Sequence, residues 1–290
     1  MLYFDARNFW GFVNSMRSRN SLPSQFRYDI TDSSGYTEDN TVFSNLFADY
    51  FESTYSDKSL QCYNTSVLPN LDIFNLDISI GEVFNCIDSL QLNSVSGLDG
   101  IPSIFLHSCK FIMARALWLI YNKSLSCGDF PGIWKTSIVT PIFKGGDGSL
   151  VSNYRPISKQ NVIPKMFENI VAGKLALLCK NAILDEQHGF ISGRSVTSNL
   201  LTYHDFISMK IEAGSCVDAI YTDFKKAFDS VNHSLLIDKL RFFGFGGTFL
   251  EWVKNFIIGR VQVVKYKNAL SRDIIVDSAV PQGSHLGPLL

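Results

Sequence analysis

The sequence predicts an α+β fold, and three observations carry that reading. Helical periods of three and four recur at 42–51, 164–179 and 195–211. Short apolar runs bounded by turn signals stand at 135–143, 216–222, 260–267 and 272–280. The chain, 290 residues with 46% hydrophobic and 18% charged residues, is too apolar for disorder and long enough for one large domain or two small ones.

Taken in order, Phe9, Trp10, Phe12 and Val13 share one helical face, and 31–40 reads as a loop. Val42, Phe43, Leu46, Phe47, Tyr50 and Phe51 form a helix, and the polar stretch 53–70 reads as a boundary. Ser79 and Glu82 fit a capping box ahead of Val83, Cys86, Ile87 and Leu90. Residues 96–102 make a turn that opens a helix at Pro102, and 111–125 reads as helical and mostly buried. A strand at 135–143 runs into the turn Lys144-Gly145-Gly146-Asp147-Gly148. Helices follow at 164–179 and 195–211, then a short buried strand at 216–222 that ends at Asp223. Gly244 to Gly247 splits helices 233–243 and 248–258, and strand 260–267 pairs with 272–280. Leu286, Leu289 and Leu290 resemble the first turns of a helix, so the chain reads as a fragment.

Composition excludes several classes. No window of 18 residues is apolar and uncharged; the best, Phe111 to Ile120, carries Arg115. Asp5 and Arg7 stand where a signal peptide needs an apolar core. The six cysteines lie at least 18 residues apart, which fits neither zinc nor a disulfide framework, and most are expected reduced and buried. Residues 1–130 hold 8 Lys and Arg against 14 Asp and Glu, net −6; residues 131–290 hold 18 against 13, net +5. The second half is therefore the expected contact surface for any nucleic acid. GxxxxGK[ST], GxGxxG, GxSxG and HExxH are all absent, and the five histidines are scattered.

Candidate chemistry sits at four places. Asp223, at a strand end before Phe-Lys-Lys-Ala-Phe-Asp, suits a hard cation such as Mg²⁺; a cap on the following helix is the other reading, and spacing alone favours it. Phe228 could pack under a sugar and exclude a ribose 2′-hydroxyl, or be an ordinary core ring. Asp229 reads as a second ligand or a cap, and Lys225 and Lys226 as solvated surface. In Val280-Pro281-Gln282-Gly283-Ser284-His285-Leu286-Gly287-Pro288 the glycines allow close backbone approach to a ligand, and Gln282 offers a donor and an acceptor; a plain turn is the other reading. Lys144 and Arg155 could clamp a triphosphate. The glycine-spaced turn Gly189-Phe190-Ile191-Ser192-Gly193-Arg194 adds a basic loop, or a solvated arginine.

Together and in order, five blocks resemble the reverse transcriptase of non-long-terminal-repeat retrotransposons, the LINE-type elements, and within them the jockey-like branch. The blocks are Gly97-Leu98-Asp99-Gly100-Ile101-Pro102; Pro141-Ile142-Phe143-Lys144 with Asn153-Tyr154-Arg155-Pro156-Ile157-Ser158; Gln187-His188-Gly189-Phe190 with Gly193-Arg194-Ser195; Asp223-Phe224-Lys225-Lys226-Ala227-Phe228-Asp229; and Pro281 to Leu290. The resemblance implies right-hand polymerase fingers and a partial palm over 71–290, after a helical linker region at 1–70. It implies that Lys144 and Arg155 grip the incoming deoxynucleoside triphosphate and that Asp223 anchors magnesium, with the Phe224 carbonyl as a further ligand. Phe228 becomes the sugar gate, Gln282 and Gly283 line the nucleotide and template side, and Gly193 and Arg194 touch the template. RNA template and DNA primer are the implied partners, no membrane is involved, and the implied setting is intracellular, in cytoplasm and nucleus.

The implied chemistry is two-metal phosphoryl transfer, which needs several carboxylates. The aromatic-Ala-Asp-Asp turn of the family has no counterpart here, since the sequence holds no Asp-Asp pair. The expectation is an inactive fragment of an RNA-directed DNA polymerase, poorly soluble, with the apolar end at Leu289-Leu290 exposed. The alternative is a non-enzymatic RNA-binding or interaction remnant; an unrelated hydrolase using Asp223 or His188 is a third reading.

Overall fold

The computed structural model describes residues 39–55, 71–93, 96–224 and 226–290. Eight α-helices and four strands follow in the described residues: α1 (Asn40–Glu52), α2 (Ile80–Asp88), α3 (Ser103–Ser108), α4 (Lys110–Cys127), β1 (Thr136–Phe143), β2 (Tyr154–Lys159), α5 (Val162–Leu178), α6 (Val196–Glu212), α7 (His233–Phe242), α8 (Gly247–Ile257), β3 (Arg260–Tyr266) and β4 (Ala269–Val276). The helical face expected at residues 9–13 lies outside the described residues.

One mixed sheet runs in the order β2-β1-β3-β4. The outer pairs are antiparallel hairpins, and β1 and β3 are parallel. Parallel neighbours cannot be joined by a tight turn, so the chain spends α5 to α8 on the crossover between β2 and β3.

Helix α1 covers one face of this sheet. Phe43, Phe47, Ala48 and Phe51 pack on Val139, Tyr154, Val264, Tyr266 and Ile274. The rings meet edge to face, Phe47 with Tyr154 at 5.1 Å and Phe43 with Tyr266 at 5.5 Å. Arg272 of β4 also reaches Asp49 at 2.7 Å and Glu52 at 2.5 Å, exposed pairs worth little beside the burial of four apolar side chains.

The larger core lies among the helices. Trp252 of α8 is fully buried, with Phe249 and Phe256 stacked at 5.9 and 5.8 Å, Phe130 and Phe167 edge-on, and its indole N–H donating to Ser124 Oγ at 2.9 Å. The capping box at α2 forms: Ser79 Oγ accepts from the Glu82 amide and Glu82 accepts from the Ser79 amide. The glycine break between α7 and α8 pairs with 71–74, where Ile73 N donates to Gly244 O and Gly246 N to Ile73 O.

Several expectations give way. Residues 216–222 form no strand; they are largely exposed, Ile220 at 90% and Tyr221 at 83%. Their β-branched apolar run has no described strand to take its backbone N–H and C=O groups, and an apolar run without a partner makes no ladder. Helix α4 is only half buried: Ala114, Leu117, Tyr121 and Leu125 face the core while Phe111 and Ile112 are 77% exposed. Pro102 stands one place earlier than expected, as the N-cap of α3. Leu289 and Leu290 are not exposed; they pack on the helical core behind buried Leu286 in a single turn. Of the five described cysteines, all free, Cys86 is buried and Cys127 and Cys216 are exposed. No helix among the described residues is long and apolar enough to cross a membrane.

Candidate nucleotide site

The segment 278–287 is tied down from four directions. Ala279 N donates to Val231 O at 2.8 Å and Val280 N to Phe228 O at 3.0 Å. His233 Nε2 meets Ala279 O at 2.7 Å, and Ser278 Oγ donates to Asp229 O at 2.9 Å. Ser158 N of β2 donates to Gln282 O at 3.0 Å. Gly283, at φ +106°, sits where a Cβ would come within 3.0 Å of Ser158 O, so only glycine fits without strain. The block 97–102 docks beside β2 and α5 in the same manner: a Cβ on Gly97 would lie 2.1 Å from Asn161 Oδ1 and 2.8 Å from Asn161 Cα. Three sequence blocks far apart in the chain, 154–158, 228–231 and 279–287, thus meet at one place.

A narrow cavity of about 10 Å³, room for about one water, opens there. Tyr55, Ser158, Asp229, Arg260, Gln262 and Gln282 supply its polar lining. Tyr55 donates to Gln262 Oε1 at 2.8 Å, and Gln262 Nε2 to Ser158 Oγ at 3.2 Å. Burial pushes the Asp229 carboxyl up, against the pull of Lys226. Asp229 does not cap the next helix; Asn232 does, accepting from Leu235 N at 3.1 Å.

Lys144 and Arg155 lie at the loop end of the β1–β2 hairpin. Arg155 pairs with Ile142, and Lys144 N donates to Asn153 O one step further out. Alternation puts Ile142, Lys144 and Arg155 on one face, with Phe143 and Tyr154 on the other, where their rings meet at 5.4 Å. Both cations are exposed, as diagonal neighbours able to share one anion. A second basic group was missed by sequence reading. Burial lowers Lys159, and the charges of Lys265 on β3 and Lys165 on α5 lower it further. No linear motif announces them because they come from three elements.

Asp223 is not among the residues that line the narrow cavity. Its side chain is exposed, with no hydrogen-bond or ionic partner among the described residues, and it caps no helix. Phe224 is 86% exposed. Phe228 is half-buried, packs on the helical core and meets Phe190 edge to face at 6.1 Å, which joins the third and fourth blocks. Lys226 lies over the Tyr50 ring at 5.1 Å, and Lys225 is outside the described residues.

Arg194 uses its guanidinium on its own loop, donating to the carbonyls of Leu184, Asp185 and Gln187 and pairing with Asp185 at 3.3 Å. Gly193, at φ +80°, makes the turn that lets it reach them. His188 Nδ1 lies 2.8 Å from Ser198 Oγ, but that hydroxyl is committed to the N-terminal cap of α6, donating to Ser195 O. The pair is a cap and not a nucleophile with its base.

Beneath the 281–287 segment lies a second feature that sequence reading missed. Glu168 of α5 is fully buried, with Gln160 Nε2 donating to Oε1 at 2.6 Å and Oε2 left without a hydrogen-bond partner. Arg260 of β3 is 1% exposed, donates to Phe256 O at 3.0 Å and lies over the Phe256 ring. Burial drives the Glu168 carboxyl up to about 7, against the pull of Arg260. Glu168 sits at the fourth place of an apolar helical face, and this polar break in the stripe was the available signal.

Residues 142–290 match the family model described as reverse transcriptase (RNA-dependent DNA polymerase). The chain is 31% identical over 216 residues to a probable RNA-directed DNA polymerase from transposon BS of Drosophila melanogaster, covering 73% of this chain and 24% of that protein. It is 30% identical over 220 residues to the RNA-directed DNA polymerase from mobile element jockey of the same species, covering 73% and 24%. The X-element polymerase is 28% identical over 212 residues, covering 72% and 23%. The chain spans about a quarter of the length of these curated relatives. It belongs to the reverse transcriptase (RNA-dependent DNA polymerase) family, in the branch carried by non-long-terminal-repeat retrotransposons.

Proposed function

We propose that this chain is the part of a retrotransposon RNA-directed DNA polymerase that holds the RNA template, the DNA primer and the incoming deoxynucleoside triphosphate, as right-hand fingers and a partial palm over 71–290 after a linker region at 1–70. Lys144 and Arg155 grip the triphosphate from the hairpin, Arg by its fork and Lys as a point charge. Gln282 and Gly283 face the nucleotide and template side, Phe228 stands under the sugar, and Gly193 and Arg194 shape the loop on the template side. The observation that carries the reading is the convergence of 154–158, 228–231 and 279–287 on one polar cavity with the Lys159, Lys165 and Lys265 group nearby. A polyphosphate there relieves the mutual repulsion of those lysines.

A magnesium pair does not fit the residues that this chain supplies. Asp223 offers one exposed carboxylate, and no cluster of three metal-ligating side chains occurs among the described residues. Asp229 shares its cavity with the Arg260 cation. The chain's own residues therefore bind and orient. Primer extension by residues 1–290 alone, with Mg²⁺ or Mn²⁺, is expected to be nil, and Asp223 acts only in a polypeptide that brings further carboxylates to it.

The test is fluorescence anisotropy with a labelled deoxynucleoside triphosphate, in the presence of an RNA–DNA primer–template hybrid, across a salt series. Binding should fall linearly in log–log form with salt, and Lys144→Ala with Arg155→Ala should weaken it and flatten the slope. Binding that ignores both salt and the double substitution would refute the assignment.

A further inference from the structure

We infer that His233 is a positioning residue: its ring holds Ala279 in a strained backbone conformation, and this latch sets where Gln282 and Gly283 stand relative to Phe228. The second half of that statement rests on the nucleotide reading above; the first half does not. Ala279 has φ +92°, in the region that favours glycine, so an alanine there is strained and keeps that shape only where its surroundings hold it. Four hydrogen bonds to residues 228–233 do so. The Ala279 and Val280 amides donate to Val231 O at 2.8 Å and Phe228 O at 3.0 Å, and Ser278 Oγ donates to Asp229 O at 2.9 Å. His233 Nε2 lies 2.7 Å from the Ala279 carbonyl; a carbonyl only accepts, so Nε2 carries the proton and donates.

The ring is rigidly mounted. His233 opens α7, whose Asn232 cap accepts from Leu235 N at 3.1 Å and whose Leu236, Ile237 and Leu240 are core. The residue is only 8% exposed, so its ring has little room to turn. Beyond the latch the chain is stiff. Val280 precedes a proline, which keeps it out of the helical region, and Pro281 has its own φ fixed. The direction set at Ala279 therefore passes through two restricted residues to Gln282, whose carbonyl accepts from Ser158 N at 3.0 Å. Phe228 lends its carbonyl to the same latch, so the ring and the glycine turn share one support.

The test is residue-resolved amide hydrogen exchange on the full chain. In wild type the Ala279 and Val280 amides should exchange at least 100-fold slower than unstructured amides; exchange at the unstructured rate overturns the latch without any variant. His233→Leu fills the space without a donor and should speed both amides at least tenfold, while the β3 amides stay within twofold. His233→Gln puts a side-chain N–H near the place of Nε2 and should stay within threefold of wild type. Glycine takes a positive φ without strain, so adding Ala279→Gly to His233→Leu should slow both amides at least threefold relative to His233→Leu alone. Unchanged exchange in His233→Leu, equal loosening of 279–280 and β3, lost protection in His233→Gln, or no recovery with Ala279→Gly overturns the latch. Binding of labelled dTTP, with the primer–template hybrid present, separates the two halves. A loss of at least fivefold in His233→Leu, recovered in His233→Gln, supports both. Loosened amides with unchanged dTTP affinity keep the latch and overturn its part in presenting Gln282 and Gly283. A wild type that binds no dTTP overturns the nucleotide reading and the second half with it, while the exchange rates still decide the first.

Discussion

Replacing Glu168 with glutamine should make the chain more stable at pH 8 and nearly leave it alone at pH 5. The carboxyl is fully buried and burial raises it to about 7 from an ordinary value of 4.5. The folded state thus binds a proton that the unfolded chain releases between those values, so stability from this group is highest at low pH and falls as pH rises through 7. A shift of that size, at ~1.4 kcal/mol per unit, gives about 2–3 kcal/mol between pH 5 and pH 8. Burial lowers His233 and His285, so these groups act the other way below pH 6.5 and blur the wild-type curve alone. The difference between wild type and Glu168→Gln cancels them. Urea unfolding followed by the fluorescence of buried Trp252 at pH 5, 6, 7 and 8 reads it directly. A gap between the two proteins that stays constant with pH would refute the reasoning, because it would mean that the buried carboxyl does not titrate in this range.

Four further outcomes follow from the same structure. Trp252→Ala should destabilise by about 3–5 kcal/mol in chemical denaturation, since it empties the centre of a five-ring cluster and removes the indole N–H that Ser124 Oγ accepts, whereas Trp252→Phe should lose much less. Asp223→Asn should leave the unfolding midpoint unmoved, because the side chain is exposed and unpartnered among the described residues. In a polypeptide as long as the relatives, the same change should abolish most of kcat in primer extension with little effect on RNA binding. Phe228→Ala in that longer polypeptide should admit ribonucleotides in single-nucleotide incorporation; unchanged discrimination would leave the ring as core packing only. Leu201→Glu with Phe206→Glu on α6, a helix with no buried residue, should raise the soluble, monodisperse fraction measured by light scattering.

Local signals were legible in the sequence where chemistry and geometry are local. The Ser79–Glu82 box, the glycine break between α7 and α8 and the alternation of 260–267 each act over a few residues, and each forms within one or two places of its expected position. What failed depended on partners. Residues 216–222 have a strand's composition, but a strand exists only beside another. Phe111 and Ile112 are apolar, yet the other face of α4 already fills the core. At the site, Gln282 and Gly283 stood out because glycine and amide at a turn are visible in one line of sequence. Glu168 and Arg260 did not, since 92 positions separate the two residues and no linear pattern links them. Asp223 stands out in the sequence because a carboxylate after an apolar run is a strong linear signal, and in the structure its side chain is exposed.

Photo-crosslinking puts the central claim to its most direct test. A 5-azido-dUTP probe bound to the chain with a primer–template hybrid should, after irradiation and peptide mapping, label the β1–β2 hairpin between residues 141 and 158 and the 281–287 segment, and Lys144→Ala with Arg155→Ala should remove the label. Adducts scattered over α6, or confined to residues far from both segments and indifferent to the substitutions, would contradict the claim that these blocks assemble one nucleotide site.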